Sequence, residues 1–469
     1  PHVHRHGDDD GERKPMIVAA VRRNIEASLL VLATVVAIGG YWLTSLSQSP
    51  GVPRHLALYG GVFAGVYLVA HLAVRKFAPA SDPLFLPIAA LLNAIGLVLL
   101  ARLDVAYRPP HHLAGAQLRW LVISVVIFIA TLVFVKDVRM LARYRYTWAA
   151  AGVGLILLPI VPGLGNTING ARLWVRIGPV NFQPGEFGKL CLVLFFAGYL
   201  SERRELLAVA TRRIGPVGIP EMRHFGPVLV AWAISVVVLI QEKELGASLL
   251  FFAIFVVMLW VATARPIYPL SALVLFSGGA YVAYNLFGYV RARFQVWLDP
   301  FKTPQGHGYQ IVQSLFALAT GGVFGTGLGL GKPDLIPEVS TDFIFSAAGE
   351  ELGLVGTTAI LTSYALFGAR VFGLATRCRD DFSKLLVTGL GTVFCLQTLL
   401  IIGGVTRLIP LTGVTLPFMS YGGSSLLANF VMIALLLRVS DDLAAQNQAA
   451  GWTPGSEPLV EVGPAGGGR

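Results

Sequence analysis

Roughly twelve apolar runs, most of them long enough to cross a lipid bilayer, divide this chain, and no other feature narrows its fold as much. A helical span needs about 17 to 25 predominantly apolar residues. The runs fall near 27–47, 55–74, 83–101, 118–135, 145–162 and 187–200, then near 226–241, 246–263, 267–287, 343–369, 385–404 and 414–437. With 55% hydrophobic and only 13% charged residues and a mean hydropathy of +0.68, the chain exceeds what a soluble core can absorb. In lipid every backbone N–H and C=O must be satisfied internally, so the expected fold is an all-α polytopic membrane protein of roughly twelve transmembrane helices.

Lys and Arg collect in cytoplasmic turns during insertion, and here they alternate. Arg13, Lys14, Arg22 and Arg23 precede the first run, and later clusters include Arg75 with Lys76, Lys136 with Arg139, Arg203 with Arg204, and Arg370 with Arg377. Both termini are therefore expected in the cytoplasm. The large loop 288–342 is expected outside, as are Arg172, Arg176, the acidic turn 242–244 and Arg407. The net charge of +10 follows from this topology and from anionic headgroups, so no nucleic-acid partner is implied. Cys191, Cys378 and Cys395 fall in spans or on the cytoplasmic side and imply no disulfide framework. Residues 1–25 read as a polar cytoplasmic tail without signal-peptide order; its His2, His4 and His6 fit a solvated tail better than a metal site. Residues 26–440 read as one membrane domain, and 441–469 as a disordered cytoplasmic tail.

The segment 297–353 is the one long polar island between spans. Its glycine run GTGLGLGKP, 325–333, lacks the phosphate-loop pattern, because Thr326 stands at the first required glycine and Pro333 at the metal-binding hydroxyl. Those glycines instead let irregular backbone pack against helices, and 308–322 fits a short re-entrant or interfacial helix. Asp299 before Pro300 reads, on spacing alone, as a turn. Asp342 is placed to cap the next span. Glu350 and Glu351 lie inside that span, where a carboxylate is paired or functional. Glu186 and Lys189 share a helical face and should pair. Arg172 and Arg176, external and cationic, suit a diphosphate. Pro410, Gly413 and Pro417 break the helix before Ser420, Tyr421, Gly422 and Gly423, as at a cavity lining. Gly60, Gly61, Gly65 and Gly96 are expected to permit close helix contact at a partner interface.

Four ordered motifs, QPGEFGKL, WLDPF followed by GYQIVQSL, STDFIFSAAGEELGLVG and IPLTGVTLPFMSYGGSS, make the chain resemble the SEDS family. These are the polytopic, GT-C-like proteins of cell-wall elongation, division and sporulation typified by RodA, FtsW and SpoVE. The N-terminal spans and the phrases EKELGASLLFF and GGVTRLIPLTG look most like the actinobacterial RodA branch, with an FtsW-like division role as the alternative. Two positions depart from the family pattern: Glu244 stands where Asp is usual, and Gly185 where Ser is usual.

The resemblance implies a peptidoglycan glycosyltransferase of the cytoplasmic membrane that polymerises lipid II, an undecaprenyl-diphosphate-linked disaccharide pentapeptide, outside the cell beside a class B penicillin-binding protein. On that pattern Asp299 is the essential carboxylate. A sugar hydroxyl is a poor nucleophile near neutral pH, so a carboxylate in hydrogen-bond reach takes its proton as the bond forms; the donor would be inverted. Arg172, Arg176, Arg291 and Arg293 are candidates for the leaving diphosphate, with Glu186, Lys189, Gln313, Glu350, Arg407 and Ser420 as further substrate contacts. A divalent cation, Mg²⁺ or Mn²⁺, could share that task, but no external Asp-x-Asp pair appears, so either the arginines suffice or Asp299 itself touches the metal. A lipid II flippase, using intramembrane carboxylates and broken helices, and a non-catalytic scaffold are the rival functions.

Overall fold

The computed structural model describes residues 9–47, 55–107, 111–168, 171–178, 180–208, 212–214, 217–219, 233 and 245–449. Thirteen α-helices are described: α1 Asp9–Leu46, α2 Leu56–Phe77, α3 Phe85–Ala106, α4 Leu113–Phe134, α5 Arg145–Leu157, α6 Gly185–Ala208, α7 Leu245–Thr263, α8 Ile267–Leu286, α9 Gly288–Leu298, α10 Tyr309–Gly321, α11 Ile344–Arg377, α12 Asp381–Val405 and α13 Gly423–Ala449. Nine of these, α1 to α4, α7, α8 and α11 to α13, are long and apolar enough to cross a membrane among the described residues. The short α5 and the charged α6 occupy the places of the fifth and sixth expected spans. The seventh, near 226–241, lies outside the described residues, as does the acidic turn 242–244.

The all-α expectation gains two small antiparallel sheets. β1 Gly165–Ile168, β2 Ala171–Ile177 and β3 Val180–Phe182 form the first, and β4 Arg212–Ile214 pairs with β5 Val217–Ile219. Strands this short leave too little alternation to read.

Three further expectations are corrected. The run 414–437 is not one helix, because Pro410, Gly413 and Pro417 keep the chain irregular until α13 begins at Gly423. The C-terminal tail does not start at 441: α13 continues to Ala449, held where Asp441 accepts the Ala80 N–H at 2.7 Å and Ser440 the Asp82 N–H at 3.0 Å. At the other end, α1 is already helical from Asp9, well inside the expected tail of 1–25.

α3 is the central strut. Seventeen of its residues are buried, and Gly96 lies so close to Met419 that an added Cβ would sit 2.5 Å from its carbonyl oxygen. That glycine serves contact within the chain. Arg438 bonds the Phe77 and Leu132 carbonyls, Arg370 bonds Asp82 and Arg204 pairs with Asp381, so the Arg75–Lys76, Lys136 and Arg203–Arg204 turns share one end of the bundle; Trp297 with Arg407 and Ser340 with Tyr421 join 287–343 and 406–422 at the other, loop-rich end.

α11 is broken at Gly353, whose φ of 66° and ψ of −165° are not helical. A break inside a span frees backbone groups that lipid cannot satisfy. The glycine-rich loop satisfies them. Thr326 and Gly327 donate N–H to the Glu350 and Glu351 carbonyls at 2.9 and 3.1 Å, while Leu354 and Val355 donate to the Gly322 and Val323 carbonyls at 2.9 and 3.0 Å. A Cβ on Gly325 would lie 2.2 Å from the Glu351 oxygen, so backbone meets backbone there only without side chains.

Candidate active site

α9 ends at Leu298, and Asp299 follows with φ −151° and ψ 86°, its N–H still bonded to Gln295 O at 2.9 Å. Pro300 then opens a short 3-10 turn over Pro300–Lys302. The Asp299 carboxylate does not cap that turn. It stands 43% exposed, 3.8 Å from the Lys302 ammonium.

Arg407 fixes this turn from the opposite loop. Its Nε donates to the Trp297 carbonyl at 2.7 Å, its Nη2 donates to the Leu298 carbonyl, and the Trp297 indole donates back to the Arg407 carbonyl at 3.2 Å. The fork therefore grips the two peptide units immediately before Asp299, using the planar geometry that distinguishes Arg from Lys. Arg407 adopts φ 62° to do so, a left-handed conformation that costs a side-chain-bearing residue about 1–2 kcal/mol.

The same loop meets Arg293, one and a half turns before Asp299 on α9, whose Nη1 donates to the Leu411 carbonyl at 2.9 Å. Gly413, at φ 77°, lies between Arg293 and Asp342; an added Cβ would stand 3.8 Å from each. Asp342 does not cap α11, as the sequence had implied, because Phe343 holds that position and no side chain bonds the helix start. It faces Arg293 instead. Although its surface is only partly covered, the protein around it pushes its carboxyl up to about 6, with Glu338 adding to the rise and Arg293 opposing it. Ser420 ties the two loops together: its hydroxyl donates to Thr341 O at 2.5 Å and accepts from Leu416 N at 2.9 Å.

Glu186 and Lys189 form the expected buried pair, 2.9 Å apart. Lys189 also donates to Gln397 at 3.0 Å; Gln397 donates to Thr415 O at 2.8 Å, and Thr415 to Ser425 at 2.9 Å. This polar chain runs from α6 through α12 to the 411–416 segment. Gln397 was missed, although a lone amide within the run 385–404 carried the usual signal of an intramembrane polar group.

The other candidates stand apart from this cluster. Arg172 and Arg176 lie on β2, bonded to the Val161 and Gly178 carbonyls at 3.5 and 3.3 Å. Arg291 turns back to Tyr284 O and Asn285 O at 3.3 and 3.0 Å, with its guanidinium 5.6 Å over the Tyr284 ring. Gln313 sits partly buried on α10. Glu350 accepts from Lys332 N at 2.8 Å, leaving Oε2 buried without a partner among the described residues. Glu351 pairs with Arg102 at 3.0 Å, and Arg102 also donates to Gly331 O at 2.7 Å.

Comparison with known proteins places this arrangement. The FtsW/RodA/SpoVE family, described as cell cycle protein, matches residues 82–445. "Peptidoglycan glycosyltransferase RodA" of Mycobacterium tuberculosis is 47% identical over 424 residues, covering 89% of this chain and 90% of that protein. Its counterpart in Mycobacterium leprae is 46% identical over 423 residues, covering 89% of this chain and 90% of that protein. "Probable peptidoglycan glycosyltransferase FtsW" of Geobacter sp. strain M18 is 37% identical over 289 residues, covering 61% of this chain and 76% of that protein. A solved chain described under "Structural coordination of polymerization and crosslinking by a peptidoglycan synthase complex" matches with a TM-score of 0.53 at 26% identity, over 82% of this chain and 97% of that one.

Proposed function

The chain belongs to the FtsW/RodA/SpoVE family, and from that premise we propose that it is a multi-pass membrane peptidoglycan glycosyltransferase of the RodA kind, polymerising lipid II for cell elongation and shape. The observation that carries the site is the half-exposed Asp299 carboxylate on a turn clamped by Arg407. Asp299 takes the proton of the acceptor hydroxyl, which attacks the anomeric carbon of the lipid-linked donor from the opposite face and inverts it. Arg293 lies on α9, the helix that leads into Asp299, and it meets the charge that develops on the leaving diphosphate. Arg172 and Arg176 on β2 are the cations assigned by this reading to the diphosphate of a second lipid-linked substrate.

This reading gives the developing charge to arginine rather than to a resident divalent cation. Among the described residues no three His, Cys, Asp or Glu side chains cluster as a metal cage, and the nearest charge to Asp299 is the Lys302 ammonium. No step is routed through a metal; equal rates with Mg²⁺, Mn²⁺ and chelator would support this assignment, and metal-dependent turnover would overturn it.

The basic turns support a cytoplasmic placement of both termini and an external one for the loop-rich end with Asp299. The solved relative's synthase complex supports a class B penicillin-binding protein as partner. The test is polymer formation by the purified chain in detergent, with and without that partner. Polymer made without any bilayer cannot arise from flipping, and the partner alone making equal polymer would reduce this chain to a scaffold. The flippase reading has one observation of its own, the α11 break beside the buried Glu350; it predicts vesicle transport that survives loss of polymerisation.

Arg407→Gly separates positioning from folding. Glycine accepts φ 62° without strain, so the thermal midpoint is expected to hold or rise, while kcat drops at least tenfold at unchanged KM because Asp299 loses its clamp. Arg407→Lys, without the fork, should fall between. Wild-type kcat in the glycine variant would disprove the positioning role.

A further inference from the structure

A cavity of about 520 Å³ opens at the loop-rich end between α1, α2, α3 and α4, lined by Tyr41, Tyr59, Ala101, Asp104, Tyr107 and His112 among others. Nothing in the proposed reaction uses it. One wall is aromatic: the Tyr41 and Tyr59 rings stack 5.2 Å apart with 17° between their planes. Both tyrosines precede the family-matched segment 82–445, so this wall comes from the two added N-terminal helices.

The facing wall is polar and rigid. Asp104 accepts the Leu113 and Ala114 N–H groups at 2.6 and 2.8 Å, which fixes both oxygens and leaves each with a lone pair for an incoming hydroxyl. Arg119 stands close to the Tyr59 hydroxyl, since a Cβ on Gly115 would lie 3.2 Å from that oxygen and 4.0 Å from the Arg119 guanidinium. Asp104 lines the cavity with both oxygens already held by backbone donors, and Arg119 stands behind that lining toward the Tyr59 hydroxyl, so the site offers no unopposed charge to an anion or a cation. Hydroxyl donors and acceptors set against a flat aromatic face suit a neutral ring that is polar at its edge and apolar on its face. A sugar has that shape. Tyrosines at helix ends also anchor chains in the membrane interface, but these two are partly buried against each other beside a carboxylate.

The cavity adjoins the proposed active site. Gln117 on α4 donates to the Ser420 carbonyl at 3.3 Å, and the next residue's N–H, that of Tyr421, donates to Ser340 O at 2.8 Å, two residues before Asp342. We propose that this cavity is a second saccharide site, taking an uncharged N-acetylhexosamine ring of the glycan after it leaves the catalytic cluster. The inference rests on the glycosyltransferase reading for the source of the sugar, and its volume is within the roughly 300–1,000 Å³ of small-molecule sites.

The probe is the soluble tetramer of N-acetylglucosamine, titrated by saturation-transfer NMR against the purified full chain in detergent. Wild type is expected to bind it, with affinity falling at least tenfold in Tyr59→Ala and in Tyr41→Ala, and unchanged in Asp299→Asn. Tyr59→Phe, which keeps the ring, guards against misfolding and should retain most of the binding. No saturable binding by wild type, or binding that ignores both alanine variants, overturns the site. Such a result alongside normal polymerisation leaves the glycosyltransferase reading standing, whereas tetramer binding through the cavity in a chain that polymerises nothing refutes that reading alone.

Discussion

Asp299→Asn protein, paired with its transpeptidase partner, is expected to polymerise lipid II about 10²- to 10⁴-fold more slowly than wild type, the usual worth of a positioned general base. The substitution keeps the side chain's size and removes only its capacity to hold a proton. Folding should be nearly untouched, because Asp299 is 43% exposed and makes one ion contact, at 3.8 Å, with an exposed lysine; pairs of that kind contribute little. Product length on a denaturing gel, followed over time, measures the rate. Near wild-type polymerisation by a folded Asp299→Asn protein would remove Asp299 from the chemistry and return it to being a turn residue.

The largest stability effect is expected at the opposite kind of site. Arg102 and Glu351 are almost wholly buried, and Glu350 lies beside Glu351 in sequence. Arg102→Ala leaves Glu351 charged without its counter-ion, which costs about 3–5 kcal/mol when a buried pair is broken from one side. It also strips the donor from Gly331 O, loosening the glycine loop. Replacing both partners, Arg102→Met with Glu351→Leu, should recover most of that loss because neither member of the pair is left buried without its counter-ion. Thermal unfolding in detergent decides it: an alanine variant within about 1 kcal/mol of wild type would mean that water or a neighbour already compensates Glu351.

The spans were legible because hydrophobic length is the signal that the bilayer selects, and the Glu186–Lys189 pair because i and i+3 must share a face. The chain between Arg407 and Gly423 was harder. Its apolar content continues that of α13, so run length carried the last span back to 414, across Pro417, although the Pro410, Gly413 and Pro417 spacing marked a break there. Asp299 was invisible to spacing, since Asp-Pro also starts ordinary turns; the family motifs carried it. Arg407 could not be recognised as a clamp, because neither its φ nor its reach across 110 residues to Trp297 leaves a local trace. Asp342 was misread as a cap because its position fits one, and only the fold reveals Arg293 opposite.

The bonds that join the glycine loop to the break in α11 run between segments distant in the chain, so they work as a register in the way a strand pairing does. Surface loops usually absorb an inserted residue at little cost. One added between Val323 and Thr326 would instead shift the Thr326 and Gly327 donors away from the Glu350 and Glu351 carbonyls while Gly322 and Val323 stay paired, leaving unpaired backbone inside a membrane span. The loop's length is therefore fixed as tightly as its glycines, and chain-length variation in this protein has to be accommodated elsewhere.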